Sequence, residues 1–546
     1  MLSQENINRI LQIGVSLSAE RNLDDLLEEI LSGVMELAHC DAGTLYLLKD
    51  DALHFEIMKS GMLSNMGKLA GDSAKKGTGQ LETNGSKKSS GDGGKADAKP
   101  NLPPVPLKRE NVCAFSLLEN RTVRVADVRQ CEEYDFSGPI RYDAMTGYHT
   151  QSMLVVPMSN REGERLGVIQ LINAQDGNGN VCPFPEDMTL VLESVASQAA
   201  ITIQNVRYIQ EIKDLVYSFV RTMSSAIDRR SPYTGNHTRH MATYCERFLD
   251  FLNDWAEENR EGKEIRGDAA AMPDDAREGE GSVLTEGARS EAMFFTPERR
   301  EELLMSVWLH DIGKLVIPLE VMDKPTRLLP EQHKDFLHRM EVIRLQSRIK
   351  HLEGGMSMET YEEIQTATRE AQCLVEEINT GRPLADGEKE AVEALAERTY
   401  MDKDGERPWL EPEEKAMLLI PRGTLSEAER KVIESHVSAT GELLSEIRFS
   451  KELSHVREWA SSHHELLNGR GYPRHLQGDE IPLEVRILTI LDIFDALTAA
   501  DRPYKKAKTP EVALDILKAD AKNGRLDEEL VRLFEESRCW DMAENL

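Results

Sequence analysis

From Met188 to Met223 the sequence repeats an apolar residue every three or four positions. The series is Met188, Val191, Val195, Ala199, Ile203, Val206, Ile209, Ile212, Val216, Phe219 and Met223, with no Gly or Pro between them. This is the period of one helix face, and a proline or glycine inside it would break or weaken it. The stripe predicts one continuous helix over about 187–227, long enough to join two folded units and to form a coiled-coil seam with a second copy. A helix packed only on its own domain is the alternative. At 546 residues the chain is too long for one ordinary core, so folded units are expected on both sides of the stripe.

On the N-terminal side, LDDLLEEILSGVMELAHC reads as an amphipathic helix. TLYLL, HFEIMKS, TVRVADV, SMLVVPM and GVIQLINA read as strands, and the stripe helix closes the unit. Helices around one antiparallel sheet give an α+β fold over about residues 4–206. Residues 63–106, rich in Gly, Ser, Lys and Asp, read as a flexible insert. On the C-terminal side nearly every segment reads as helix, which predicts an all-α bundle over 216–541. A second polar insert is expected at about 256–293. A helical insertion, read as a hairpin, is expected at 329–419, where Phe336, Leu337, Met340, Ile343 and Leu345 set the period.

The formal charge of −30 argues against a general DNA or membrane-surface binder, because those partners are polyanions. An anionic substrate would need a local positive site. The seven cysteines are scattered, with no C-x-x-C pair, which reads as reduced and mostly buried thiols. No apolar run approaches the roughly 20 residues that span a bilayer, and the first residues lack a signal-peptide pattern. The expectation is a cytoplasmic, soluble protein.

The chemistry lies in the histidines. Of fourteen, five stand with two aspartates in ordered blocks of the helical region: His237 in YTGNHTRH, His310 and Asp311 in WLHDIGK, His436 in VIESHVSATG, His463 and His464 in SSHHELLNGRGYP, and Asp492 in ILTILDIFDALTAADRPYKK. Imidazoles mixed with carboxylates suit a first-row metal such as Fe, Mn, Co or Zn better than an all-oxygen Mg or Ca cage. The pairs His310-Asp311 and His463-His464 are read as neighbouring directions of one helix each. A lone helical histidine is usually just hydrogen-bonded or exposed, and His39, His54, His149, His240, His333, His338, His351, His455 and His475 are read that way.

HDIGK followed by IP and KP, then HHELLNGRGYP, then DIFDALT and DRPYK, resemble the HD-GYP family over about 216–541, inserts excluded. The resemblance implies a phosphodiesterase with two divalent ions, Fe or Mn foremost. One would be held by His237, His310, Asp311 and Asp492. The other would share Asp311 and take His436, His463 and His464. It further implies that Asp311 and Lys314 serve catalysis, Lys314 by stabilising phosphate charge. Arg502 and Lys505 would hold the second phosphate, and Tyr472 would stack on a base, with shaping its loop or facing a partner protein as the alternatives. Asp228 stands where some members carry a glutamate for a third ion; one methylene shorter, it is expected behind the ligands, and a third ion stays an option. Asn236, Val316 and Asn468 depart from the family pattern without removing a ligand. Ser426 and Glu429 form a capping box that restarts the helix of His436 after the insertion.

The N-terminal unit resembles a GAF sensor domain. Of the Asn-Lys, Phe, Asp-Glu pattern of cyclic-nucleotide-binding members, Asn173 and Phe184 are present, but Ala174 replaces the lysine and Glu186-Asp187 fits poorly. The GAF ligand is left open, with a purely structural role in a homodimer as the alternative. The leading functional expectation is hydrolysis of cyclic di-GMP to pGpG or GMP under GAF control. The rivals are a weakly active scaffold that binds cyclic dinucleotide or diguanylate cyclase partners, and a phosphohydrolase of another nucleotide.

Overall fold

The computed structural model describes residues 22–60, 103–160, 162–230, 236–264, 291–499 and 507–541. The chain divides into two compact units, 1–216 and 217–546. Most of the expected insert at 63–106, and 265–290 of the second one, lie outside the described residues, as do Arg502 and Lys505.

The first unit opens with α1 (Leu23–Ala38), whose N-terminus is capped by the Asn22 side chain and whose C-cap, His39, takes a left-handed conformation. Strands β1 (Cys40–Lys49) and β2 (Ala52–Ser60) follow. Next come β3 (Val105–Pro106), α2 (Val112–Glu119), β4 (Val123–Val125), α3 (Ser137–Thr146), β5 (Met153–Ser159), β6 (Arg165–Gln175) and β7 (Val181–Cys182). The sheet runs β3-β2-β1-β6-β5-β4, with β7 also on β6, and its pairs are antiparallel. The tail of the expected flexible insert is therefore ordered, because Val105 and Pro106 pair with Leu53 and Ala52.

Side chains alternate across this sheet, as the pleat requires. Leu45, Leu47, Leu154, Val156, Ile169 and Leu171 pack on one face beneath α1 and the start of α4 (Glu186–Asp228). Tyr46, Met153, Val155 and Val168 pack on the other face with Val112, Cys113 and Leu117 of α2. That second face holds a cavity of about 700 Å³ lined by Thr44, Tyr46, Phe55, Cys113, Phe136 and Gln170, among others. The stripe of α4 has two parts. Val191, Val195, Ala199 and Ile203 belong to the core of the first unit, whereas Ile209, Ile212, Val216 and Phe219 are exposed at 58, 61, 47 and 64%.

In the second unit α5 (His237–Glu264) runs on past the expected boundary at 256. It packs with α6 (Pro297–Leu309), and the short α7 (Leu319–Met322) follows. The expected insertion comprises α8 (Pro330–Leu352), α9 (Met358–Ile378), α10 (Glu388–Ala396), the hairpin β8 (Thr399–Asp402) and β9 (Gly405–Pro408), and α11 (Pro412–Leu418). It is more than a helical hairpin, for Phe336, Met340, Val375, Ile378, Val392 and Leu418 form a core of its own. Its ends meet: Thr424 Oγ1 donates to Lys324 O (3.1 Å) and Lys324 Nζ to Glu429 Oε1 (2.7 Å). The chain can thus leave and re-enter without disturbing α12 (Glu427–Ser445), which starts at the Ser426–Glu429 capping box.

After α12 come α13 (Val456–Ala460), α14 (Leu483–Thr498), α15 (Pro510–Lys522) and α16 (Glu528–Ser537). The main core gathers α5, α6, α14, α15 and α16 around Phe248, Leu303, Leu488, Leu517 and Phe534. The cysteines are free thiols; Cys113, Cys245 and Cys539 are buried and Cys373 is exposed. Among the described residues no helix is long and apolar enough to cross a membrane.

Candidate metal centre

The five histidines and two aspartates singled out in the sequence converge between α5, α12 and α14. His310 and Asp311 do not share a helix: α6 ends at Leu309, His310 is its C-cap, and Asp311 caps a 3-10 turn over Ile312–Val316. His463 and His464 likewise follow the end of α13 in a turn. Breaking the helix at each pair lets two adjacent side chains swing inward, which a straight helix would separate by about 100°.

The helices that carry the candidate ligands also hold these turns. Thr440, one turn beyond His436 on α12, donates to His310 O (2.8 Å) and accepts from Gly313 N (3.0 Å). A Cβ at Gly313 would lie 1.9 Å from His436 O, so only glycine lets the turn approach α12 this closely. Thr489, three residues before Asp492 on α14, donates to His463 O (2.9 Å). Glu465 accepts from Arg474 N (2.6 Å) and Leu476 N (3.0 Å), fixing the loop of Tyr472. Tyr472 sets its ring 4.9 Å from that of His464.

Two groups of donor atoms result, each within 4.8 Å of one another: His237, His310 and Asp311, and His436, His463 and His464. Asp311 stands between them. Its Oδ2 lies 3.1 Å from His310 Nε2 and 3.6 Å from His237 Nε2. Its Oδ1 lies 3.4 Å from His436 Nε2 and 3.9 Å from His463 Nε2. Asp492 repeats the pattern, with Oδ1 3.3 Å from His237 Nε2 and Oδ2 3.7 Å from His464 Nδ1. Lys314 Nζ bonds Asp311 Oδ2. Asp311 Oδ1 is buried without a hydrogen-bond partner, a costly state for a carboxylate oxygen unless a cation sits there. The donor set fits divalent metal ions.

Electrostatics agree with that fit. Burial keeps His436, His463 and His464 neutral, and drives His464 down to about 4 against the pull of Asp492. Burial opposes charge on His237 too, yet Asp492 and Asp495 overcome it and hold its pKa at about 10. Asp311 and Asp492 are buried, but His310 and Lys314 beside the first, and His237 and His464 beside the second, pull both well below the carboxylate range. Burial disfavours the Lys314 ammonium, and Asp311 more than restores it.

Asp228 is buried, and its two oxygens accept from Thr238 N and Thr238 Oγ1, both at 3.1 Å. It therefore pins the first turn of α5, which begins at His237. The reading of the sequence missed Asp495, whose Oδ2 lies 2.6 Å from His237 Nδ1. The available signal was its place one helical turn after Asp492, which puts both carboxylates on one face of α14. In the first unit, Asn173 accepts from Gln151 N and donates to His149 O, both at 2.8 Å, and Phe184 is fully buried. Both residues serve the fold there.

A GAF domain family model matches residues 22–203 and an HD domain model matches residues 410–530. Among curated proteins, the chain is similar to "3'3'-cGAMP-specific phosphodiesterase 3" of Vibrio cholerae, 44% identical over 95 residues, which is 17% of this chain and 20% of that protein. It is also similar to "Cyclic di-GMP phosphodiesterase response regulator RpfG" of Xanthomonas campestris, 43% identical over 111 residues, 20% of this chain and 28% of that one. The chain thus spans about a quarter of the length of these relatives. Among solved structures, the GAF domain/HD domain protein from Geobacter sulfurreducens overlaps 35% of this chain and 98% of its own at 12% identity, with a TM-score of 0.24. The two family models thus place a GAF domain match ahead of an HD domain match along this chain.

Proposed function

We propose that the second unit is a metal-dependent phosphodiesterase that hydrolyses cyclic di-GMP to pGpG, to GMP or to both. The observation that supports this most is Asp311, whose two buried oxygens face two separate histidine groups while one of them lacks any hydrogen-bond donor. Asp311 could be shared by two ions, which His237, His310 and Asp492 on one side and His436, His463 and His464 on the other would hold. Bound there, divalent ions, Fe or Mn first, lower the pKa of a coordinated water and polarise phosphoryl oxygens. Lys314, beside Asp311, brings a fixed positive charge to the phosphate that reacts. Tyr472 offers a ring for a base, and Arg502 and Lys505 give the second phosphate its cations. In a strongly acidic chain these local charges are what draw an anionic substrate.

The relatives bear names for both cyclic di-GMP and 3'3'-cGAMP, so the assay takes both. The first unit acts as the regulator, through a small molecule in its cavity, and the exposed stripe of α4 pairs two copies. Protein loaded with Mn or Fe is incubated with cyclic di-GMP, 3'3'-cGAMP, cyclic AMP and GMP, and products are identified by mass. Hydrolysis of a cyclic dinucleotide in preference to the mononucleotides supports the proposal. Preference for a mononucleotide, or binding without turnover, contradicts it.

A further inference from the structure

Each imidazole that faces a metal with Nε2 needs an acceptor for its Nδ1–H, which fixes both tautomer and ring orientation. His310, His436 and His463 solve this in the same local way. Their Nδ1 atoms lie 2.7, 2.6 and 2.8 Å from the carbonyl oxygens of Val307, Ile433 and Ala460, each three residues earlier. Their Nε2 atoms then point inward, those of His436 and His463 meeting at 3.3 Å. His237 cannot do so, because it is the first residue of α5 and its own helix has no carbonyl one turn behind it.

Asp495 fills that role from 258 residues away. It is 1% exposed, its Oδ2 lies 2.6 Å from His237 Nδ1, and its Oδ1 lies 3.4 Å from His240 Nδ1. Asp492, one turn earlier on α14, faces the other nitrogen of the same ring at 3.3 Å. The ring is held at both ends by one helix. We infer that Asp495 is a positioning residue that presents the His237 Nε2 lone pair to the ion shared with His310, Asp311 and Asp492, and so governs that ion and not its neighbour. The inference rests on the metal-centre reading above. The centre then contains one ion position set by local backbone geometry and one set by contact between α5 and α14.

Asparagine at 495 keeps the size of the side chain but can turn its NH2 toward Nδ1. That stabilises the opposite tautomer, with the proton on the nitrogen that should meet the metal. The test compares full-length wild type, Asp495→Asn and His240→Ala. Each is titrated with Mn or Zn against a chelator of known affinity, with metal content by mass spectrometry and thermal unfolding of the metal-free protein as a check on folding. Wild type and His240→Ala should hold two ions per chain. Asp495→Asn should keep one at wild-type affinity and hold the other about 10–100-fold more weakly. Two ions at wild-type affinity in Asp495→Asn would overturn the inference, and equal weakening of both would overturn its selectivity. Failure of wild type to take up metal would instead remove the metal-centre reading itself. Should Asp495→Asn not fold, anomalous scattering from metal-loaded wild-type crystals decides. His237 bound through Nε2 with Nδ1 on Asp495 supports the inference, while binding through Nδ1, or by Asp495 directly, overturns it.

Discussion

Asp311 Oδ1 lies 3.4 Å from His436 Nε2, buried and with no hydrogen-bond donor of its own. An anionic oxygen in that setting is waiting for a cation, and the central prediction follows. Asp311→Ala and His310→Ala should each lose bound metal and bring hydrolysis below detection, while the metal-free fold survives. Metal analysis beside a turnover assay checks it; full metal with near-normal turnover in either variant would mean the site is assigned wrongly.

Lys314 should behave differently if, as proposed, it neutralises phosphate charge without being a ligand. Lys314→Ala is expected to keep both ions and to slow turnover by about 10²–10³-fold, the range for removing one stabilising donor. Loss of metal instead would show that its bond to Asp311 Oδ2 serves to hold the carboxylate in place.

Proton linkage follows from the opposed histidine shifts. His237 has its folded pKa raised to about 10 from an unfolded value near 6.5. Its contribution is complete below about pH 6.5 and is lost as pH rises through 10. His464 is lowered to about 4, so its contribution is present above about 6.5 and is lost as pH falls toward 4. The metal-free protein should therefore be most stable near pH 6.5–7, and His237→Asn should flatten the alkaline limb of a Tm-against-pH curve. Metal uptake at pH 8 should also expel the His237 proton. Calorimetry in buffers of different ionisation enthalpy reads that directly, and uptake with no proton release would contradict the charged state of His237.

Much of the convergence of the candidate ligands was legible in the sequence because HDIGK and HHELLNGRGYP keep them and their supporting glycines close together. Gly313 and Gly471 show why such blocks are compact: a Cβ on either would lie within 2.5 Å of neighbouring backbone, His436 O in one case and Leu466 N in the other. Asp495 was not legible as a partner of His237, since nothing local ties an aspartate on α14 to the first residue of α5. Helix periodicity also placed α8 and α9 but not the hairpin β8–β9, whose Thr399–Asp402 and Gly405–Pro408 strands are too short and polar to show alternation. Val105 and Pro106 read as linker because prolines surround them, yet they pair at the sheet edge, where a missing N–H costs least.

The exposed half of α4 carries the dimer prediction. Ile209 and Val216 are 58 and 47% exposed, and burying what remains exposed against a second copy stabilises by roughly 1 kcal/mol each. Ile209→Glu with Val216→Glu should convert a dimer to a monomer by light scattering, with the metal content of each chain unchanged. Wild type that stays monomeric throughout the micromolar range would contradict the seam.

The most direct test of the whole account is cyclic di-GMP turnover by full-length protein at graded Mn or Fe loading, with ions per chain counted in the same samples. The account predicts no turnover without metal, a rise that completes only near two ions per chain, and none in Asp311→Asn at any loading. Turnover that saturates at one ion, or that persists in metal-free protein or in Asp311→Asn, would contradict it.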